Sequence, residues 1–231
     1  MPTATAHFSP ALFAFLRELR VNNDRAWFQK NKTRFEKDVR DPALRFIEAV
    51  GPKLRKLSPH LNADPRPVGG SLFRIYRDTR FSKDKSPYKT NIAMGFGHQQ
   101  RSAEVHAPGL YLHIAPDESF GAGGLWQPDT PTLTRIRDAI VRDTAAWKRV
   151  TSDLSFAPMR SHDADSLKRV PAGYDPGHPF ADDLKRKSHT WSVRFSEKEV
   201  CAPDFVDDYI DACKPAQPFN RFVAKALGVT W

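Results

Sequence analysis

Two cysteines, Cys201 and Cys213, are all that this 231-residue chain carries. Their spacing fits neither a C-x-x-C redox pair nor a zinc ligand set, and so few thiols suit a reducing compartment better than a disulfide scaffold. On a single helix the two would stand about 18 Å apart, too far to bridge. No apolar run approaches the roughly 20 residues that span a bilayer, so no membrane partner is expected. The opening MPTATAHFSPALFAFLRELR lacks the basic start and long apolar core of a signal peptide. The expected location is cytoplasmic. Also missing are a nucleophile elbow, a zinc finger, a bZIP heptad and any internal repeat or low-complexity linker, which leaves residues 1–231 as one expected domain without an internal boundary.

What is present is charge of one sign in excess. Lys and Arg number 36 against 27 Asp and Glu, for a net +9. That balance favours polyanionic partners or anionic substrates by long-range steering, although surplus surface Lys and Arg alone produce the same sum. The remaining composition, 40% hydrophobic and 27% charged, is that of a globular protein able to bury a core without staples.

Ser9-Pro10 marks a helix start, a capping side chain followed by Pro at the first helical position. Leu12, Phe13, Leu16 and Leu19 continue it at helical spacing. Asn22-Asn23-Asp24 ends that helix, and Asp24 can cap a second one lined by Trp27, Phe28 and Phe35. Asp41-Pro42 repeats the start signal for a third. It carries Leu44, Ile47, Val50, Leu54 and Leu57, with a kink or break expected at Gly51-Pro52. From Gly69 to Trp126 the pattern predicts strands near 71–77, 88–96, 108–114 and 119–126. The last two are joined by a tight turn at Pro116-Asp117-Glu118-Ser119, and the short connections make the sheet antiparallel. Thr130-Pro131 opens a helix with Leu133, Ile136, Ile140 and Trp147 on one face. A Pro-rich surface loop at 171–179, a strand near 189–195 and helices near 203–213 and 219–227 follow. The expected fold is α+β, with N-terminal helices, a central mainly antiparallel sheet and C-terminal helices.

The densest chemistry lies in RIYRDTRFSKDKSPYKTN, residues 74–91. Arg74, Arg77, Arg80, Lys83, Lys85 and Lys89 meet only Asp78 and Asp84, with Tyr76, Phe81 and Tyr88 between them. In strand geometry Phe73, Ile75 and Arg77 share one side. The core needs Phe73 and Ile75, so Arg74 and Tyr76 turn the other way. The chain then leaves the sheet beyond Asp78 and returns at Tyr88, a long charged hairpin of the kind that carries function on rigid strands. Arg offers a planar fork to phosphate or carboxylate and Lys a mobile point charge. The candidate substrate-binding residues are Arg74, Arg77, Arg80, Lys85 and Lys89. The candidate catalytic residues are Asp78 and Asp84, which orient the cations or handle a proton, and Tyr88, a hydrogen-bond donor. Composition equally allows a solvated hairpin whose exposed ion pairs contribute about 0–1 kcal/mol.

The pattern R-x-x-R-D-x-R-F-x-x-D-K-x-x-Y, from Arg74 to Tyr88, resembles the signature of the family known as domain of unknown function 2461. So do Asn22-Asn23 with Trp27-Phe28, Tyr111-Leu112-His113, Gly121 to Gly124, and Leu167-Lys168-Arg169-Val170-Pro171 with Gly173-Tyr174. The resemblance covers most of the chain. It implies that Arg74, Arg77, Asp78, Arg80, Phe81, Asp84, Lys85 and Tyr88 form the family's defining feature, and it brings no activity and no cofactor with it.

Three weaker features complete the reading. Gly121, Gly123 and Gly124 precede a helix but fit no phosphate-loop spacing, and read better as a strand packed beneath something bulky such as Trp126 or a ligand. His98, His106 and His113 match no metal spacing, so no metal site is expected; His113 is the best acid/base candidate by residue type. A second basic group, Lys168, Arg169, Lys185, Arg186 and Lys187, could extend the first. Against these stand Glu197, Glu199, Asp204, Asp207, Asp208 and Asp211 near the C-terminus. The readings are therefore an enzyme acting on a phosphorylated or other anionic small molecule, a nucleic-acid-binding module with aromatic stacking, or a structural hairpin docked on the acidic C-terminal helices.

Overall fold

Helices gather at both ends of the chain around a central antiparallel sheet, the α+β arrangement expected. The structure, a computed structural model, describes residues 6–101, 105–160 and 165–231. Helix α1 (Pro10–Val21) starts behind Ser9, whose side chain makes no capping hydrogen bond, so the start rests on Pro10, and it buries Leu12, Phe13, Phe15, Leu16 and Leu19. Helix α2 (Arg25–Lys30) is capped by Asp24, whose carboxylate accepts the Trp27 N–H. A short α3 (Lys32–Phe35) follows. Asp41-Pro42 does not open a separate helix: α4 (Asp41–Leu57) continues directly from α3 through a π-helical turn over Glu36–Arg40. Pro42 has no N–H to give the preceding turn, and the wider turn lets the Asp41 N–H reach back to Glu36 instead. Nor does Gly51-Pro52 break α4. Ile47, Val50, Leu54 and Leu57 are buried on both sides of the proline, and packing outweighs one lost hydrogen bond, since each fully buried aliphatic side chain contributes about 1.5–3 kcal/mol.

The sheet runs in the order β1 (Ile92–Phe96), β2 (Gly109–Ile114), β3 (Ser119–Leu125), β4 (His189–Phe195), all neighbours antiparallel. The turn after Ala115 is closed by the Ser119 hydroxyl, which bonds the Ala115 N–H and carbonyl. Between β3 and β4 lie α5 (Thr130–Arg142), α6 (Thr144–Thr151) and the short α7 (Ala181–Lys185). Trp147 belongs to α6, not α5, because Asp143 ends one helix and caps the next by accepting the Ala146 N–H. After β4 come α8 (Glu197–Val200), α9 (Phe205–Cys213) and α10 (Gln217–Leu227). Cys201 and Cys213 end separate helices and are both free.

The predicted strand at 71–77 is not a regular strand. It runs beside β1 with bonds from Phe73 N–H to Ala93 O (2.9 Å) and from Gly95 N–H to Ser71 O (2.8 Å). Leu72 faces Met94 while Tyr76 faces Tyr88. Four steps on one side therefore match six on the other, and the excess bends out at Thr90 and Asn91. The bulge also overturns the expected alternation: Ile75 is buried, but Phe73 is half-exposed.

Inside the sheet, Gly121 lies beneath Tyr209 and Gly123 beneath Trp191, not Trp126. A Cβ on Gly123 would stand 2.6 Å from the Trp191 ring. This accounts for the glycine run as packing. At the β4 edge, Asp183 is buried and accepts from Trp147 Nε1 (2.7 Å) and Arg186 Nε (2.8 Å), with Arg160 as a further partner. The buried Arg137 donates to Leu184 O (2.8 Å). His189 is fully buried against this cluster, and among the described residues its Nε2 has no hydrogen-bond partner. Burial pushes its pKa down to about 3; Asp183 opposes the shift, while Arg186, Arg137 and Arg160 add to it.

The unfolded chain therefore binds the His189 proton first. Stability should be complete above the ordinary histidine pKa near 6.5 and fall as pH drops from there toward 3, by roughly 1.4 kcal/mol for each pH unit. Urea denaturation between pH 6.5 and 4.5 should show that slope, and His189→Asn should flatten it. An unchanged slope in the variant would show that this imidazole does not resist protonation.

Candidate functional site

The hairpin is fastened at its base. Asn23 Nδ2 donates to Tyr88 O and the Tyr88 N–H donates to Asn23 Oδ1, each at 3.0 Å. The Tyr88 ring, only 2% exposed, stacks on Phe28 with centroids 4.1 Å apart. Burial raises the pKa of its phenol. Tyr88 is thus an anchor between hairpin and helices. Asn23, Phe28 and Tyr88, all among the residues that carry the family resemblance, come together here.

Beyond the base, the hairpin neutralises much of its own charge. Arg77 pairs with Asp84 and also donates to Ser86 O (3.3 Å). Asp84 in turn accepts the Ser86 N–H (2.9 Å) and hydroxyl. Arg80 grips Asp78 through Nε (3.0 Å) and Nη2 (2.7 Å). Lys85 Nζ donates to Thr79 O (2.9 Å). Hydrogen bonds from Ser86 and Arg77 hold the Asp84 carboxyl far below the usual range, and those from Arg80 lower Asp78. A carboxylate held this acidic is a poor proton acceptor at neutral pH, so the geometry suits bracing of the loop rather than acid/base work.

Two cations at the hairpin base stand apart, as does the exposed Lys83 near its tip. Arg74 and Lys89 have no carboxylate at ion-pair distance among the described residues. Lys89 is partly buried, with its ammonium 5.8 Å from the centre of the Phe73 ring. Burial and the neighbouring Arg74 lower its pKa. Phe73 lies over Gly95, where a Cβ would meet its ring at 3.1 Å. That places both Phe73 and Lys89 on the sheet's outer face, opposite the buried Met94 and Phe96.

Cross-strand register continues this face. Ala93, His113, Phe120 and Arg194 form one row, and Gly95, Tyr111, Ala122 and Ser192 the next. The His113 and Phe120 rings stack at 4.9 Å and 11°, and Tyr111 lies 6.0 Å from Phe120 and 6.1 Å from Phe73. His113 Nδ1 is within 3.2 Å of the Tyr111 hydroxyl and 3.4 Å of Asn91 Nδ2. Burial lowers the His113 pKa, partly offset by Glu118, which itself pairs with Arg194 at 3.0 Å. Sequence reasoning missed Phe73, Asn91, Phe120 and Arg194 as members of one surface. Only strand register brings them together.

The other candidates disperse. His98 Nε2 donates to Thr230 O (2.6 Å), His106 lies 3.6 Å from Asp129, and His113 is on the outer face. Lys185, Arg186 and Lys187 pair with Asp182, Asp183 and Asp165, at the β4 edge opposite the hairpin. The C-terminal acids engage other partners: Glu197 pairs with Arg17, Asp207 with Lys53 and Asp211 with Lys214. The hairpin is therefore not docked on those helices through ion pairs among the described residues, which removes the structural reading in that form. A cleft of ≈ 520 Å³ lies elsewhere, near the N-terminus, lined by Glu36, Lys37, Asp38 and Arg45 among others.

A family model described as conserved hypothetical protein (DUF2461) matches residues 11–222. The chain belongs to that family. The match spans the hairpin, the sheet and most of α10. No curated protein and no solved structure matches the chain. No described helix of this DUF2461 member is long and apolar enough to cross a membrane.

A partly buried ammonium beside a guanidinium should reveal itself chemically. The pH profile of Lys89 modification by acetic anhydride, followed by peptide mass spectrometry, should inflect below the ordinary lysine value of about 10.4. Arg74→Ala should move the inflection part of the way back. An inflection at the ordinary value in the unsubstituted protein would show that Lys89 is fully hydrated.

Proposed function

We propose that the protein binds a phosphate- or carboxylate-bearing molecule at the base of the 74–91 hairpin, with Arg74 and Lys89 as the anion's partners. The observation that carries this reading is the pair itself: a desolvated ammonium next to a guanidinium with no acid at ion-pair distance among the described residues. Desolvation and like charge both disfavour such a pair, and a bound anion relieves both. Arg77, Arg80 and Lys85 hold the hairpin in shape, Asp78 and Asp84 orient those cations, and Tyr88 fixes the base. If a reaction follows binding, the group suited to exchange a proton is His113, neutral at pH 7 and on the same face.

One observation favours nucleic acid as a second reading. Phe81 at the hairpin tip is 95% exposed, with the Arg80 guanidinium 5.8 Å from its ring centre. An exposed aromatic among cations is a stacking element for single strands.

Thermal shift separates the two. Phosphate, sulfate, citrate and a short oligonucleotide would be tested at two salt concentrations on the unsubstituted protein, Lys89→Ala and Arg80→Ala. A small anion at 100 times its dissociation constant should add about 2.7 kcal/mol. The shift should vanish in Lys89→Ala and persist in Arg80→Ala. Persistence in Lys89→Ala would refute the assignment. Stabilisation by the oligonucleotide alone, with a log–log salt slope near −5 for about six phosphates, would favour the second reading.

A further inference from the structure

We infer that the anion at Arg74 and Lys89 is the phosphate of a mononucleotide, whose base lies on the outer face of the sheet. This rests on the anion-binding reading and adds the ligand's other half.

The argument begins with the surface beside the cations. Phe73, 51% exposed, leads onto Tyr111, His113 and Phe120, each ring within 6.2 Å of the next and all partly open to solvent. Beyond these rings the floor is small: Ala122 and Ser192 follow Tyr111 in one cross-strand row, both partly open to solvent. Tall flat rings next to a low floor make a ledge against which a further flat ring can stack. Aromatic stacking suits any nucleobase because every base has a π-face. A sugar phosphate or a small carboxylic acid would satisfy Arg74 and Lys89 but leave the aromatic ledge wet.

The polar groups on the ledge have fixed roles. Asn91 Nδ2 and the Tyr111 hydroxyl both reach His113 Nδ1. With Nδ1 accepting from them, the imidazole carries its proton on Nε2 and can donate a hydrogen bond. The charged group that acts on His113 is Glu118, which itself pairs with Arg194. From β1, which Lys89 shortly precedes, to Phe120 on β3 is two interstrand spacings, about 10 Å, and Tyr111 on the strand between lies nearer, within a mononucleotide's reach from phosphate to base. The face is bounded at its far side by the Arg194–Glu118 pair, which favours one nucleotide over a strand.

The test is isothermal titration of a nucleoside monophosphate, ribose 5-phosphate, inorganic phosphate and a single-stranded tetranucleotide. The proteins are the unsubstituted chain, Phe73→Leu and Tyr111→Leu. Phe73 is half-exposed, so its variant retains the fold even if Tyr111→Leu does not. The monophosphate should bind at least ten-fold more tightly than ribose 5-phosphate, the gain expected of one stacked base. Phe73→Leu should remove most of that gain, read as the ratio of the two affinities because the Phe73 ring also lies against Lys89. Equal affinity for the monophosphate and ribose 5-phosphate would overturn the inference and leave the anion site standing. No binding by any phosphate compound would overturn both. A tetranucleotide more than ten-fold tighter than the monophosphate would assign the face to a strand and overturn the mononucleotide.

Discussion

Everything at the candidate site follows from the clamp between Asn23 and Tyr88. One side-chain amide satisfies both backbone groups of Tyr88, and the Tyr88 ring stacks on Phe28 in the core. A buried backbone group left unpaired costs about as much as a lost hydrogen bond, so the amide fixes the chain where the sheet ladder cannot. Tyr88 is thereby tied to the N-terminal helices, while Met94, six residues on, is tied to the sheet. The facing segment has only four steps between its own bridges at Leu72 and Tyr76. The mismatch is discharged at Thr90 and Asn91. The clamp thus dictates a bulge, and the bulge leaves Lys89, Asn91 and Phe73 on the outer face rather than in a regular ladder.

Net charge is a poor guide to where an anion would bind. Three of the six hairpin cations meet a partner within a few residues: Arg77 with Asp84, Arg80 with Asp78, Lys85 with a carbonyl. Such pairs add little stability when exposed, but they fix side chains and cancel charge. What distinguishes Lys89 is that it lacks an ion-pair partner among the described residues in a place where water is partly excluded, with the exposed Arg74 beside it. The face of the Phe73 ring offsets some of the cost to Lys89 through its quadrupole, and an anion would offset the remainder.

Helix starts and caps were legible in the sequence because they depend on neighbours along the chain. Asp24 caps α2 and Pro10 opens α1 as their residue types require. Pro42 misled because its effect was absorbed by a π turn set by packing, and Trp147 misled because Asp143 serves as both stop and start. The strand at 189–195 was visible as a strand, but its place beside β3 was not, since 63 intervening residues separate it from Leu125. The site was half legible. Arg74 and Lys89 stood out as charges. Which cations were already paired, and that Tyr88 was an anchor, depended on Asn23 arriving from 65 residues away.

The two faces of the sheet have opposite logic, and that contrast is the reason to look for a ligand on one of them. On the inner face the strands give up side chains: Gly121 and Gly123 make way for Tyr209 and Trp191, which fill the space completely. On the outer face the strands also carry small residues: Phe73 lies over Gly95 and Ala93 is buried, while Ala122 and Ser192 stay partly open to solvent. Small residues on a pleated surface lose packing that Val, Ile or Thr would supply. On the inner face that loss is repaid by two buried aromatics. On the outer face the base of the proposed mononucleotide, held at its charged end by Arg74 and Lys89, would supply a comparable return.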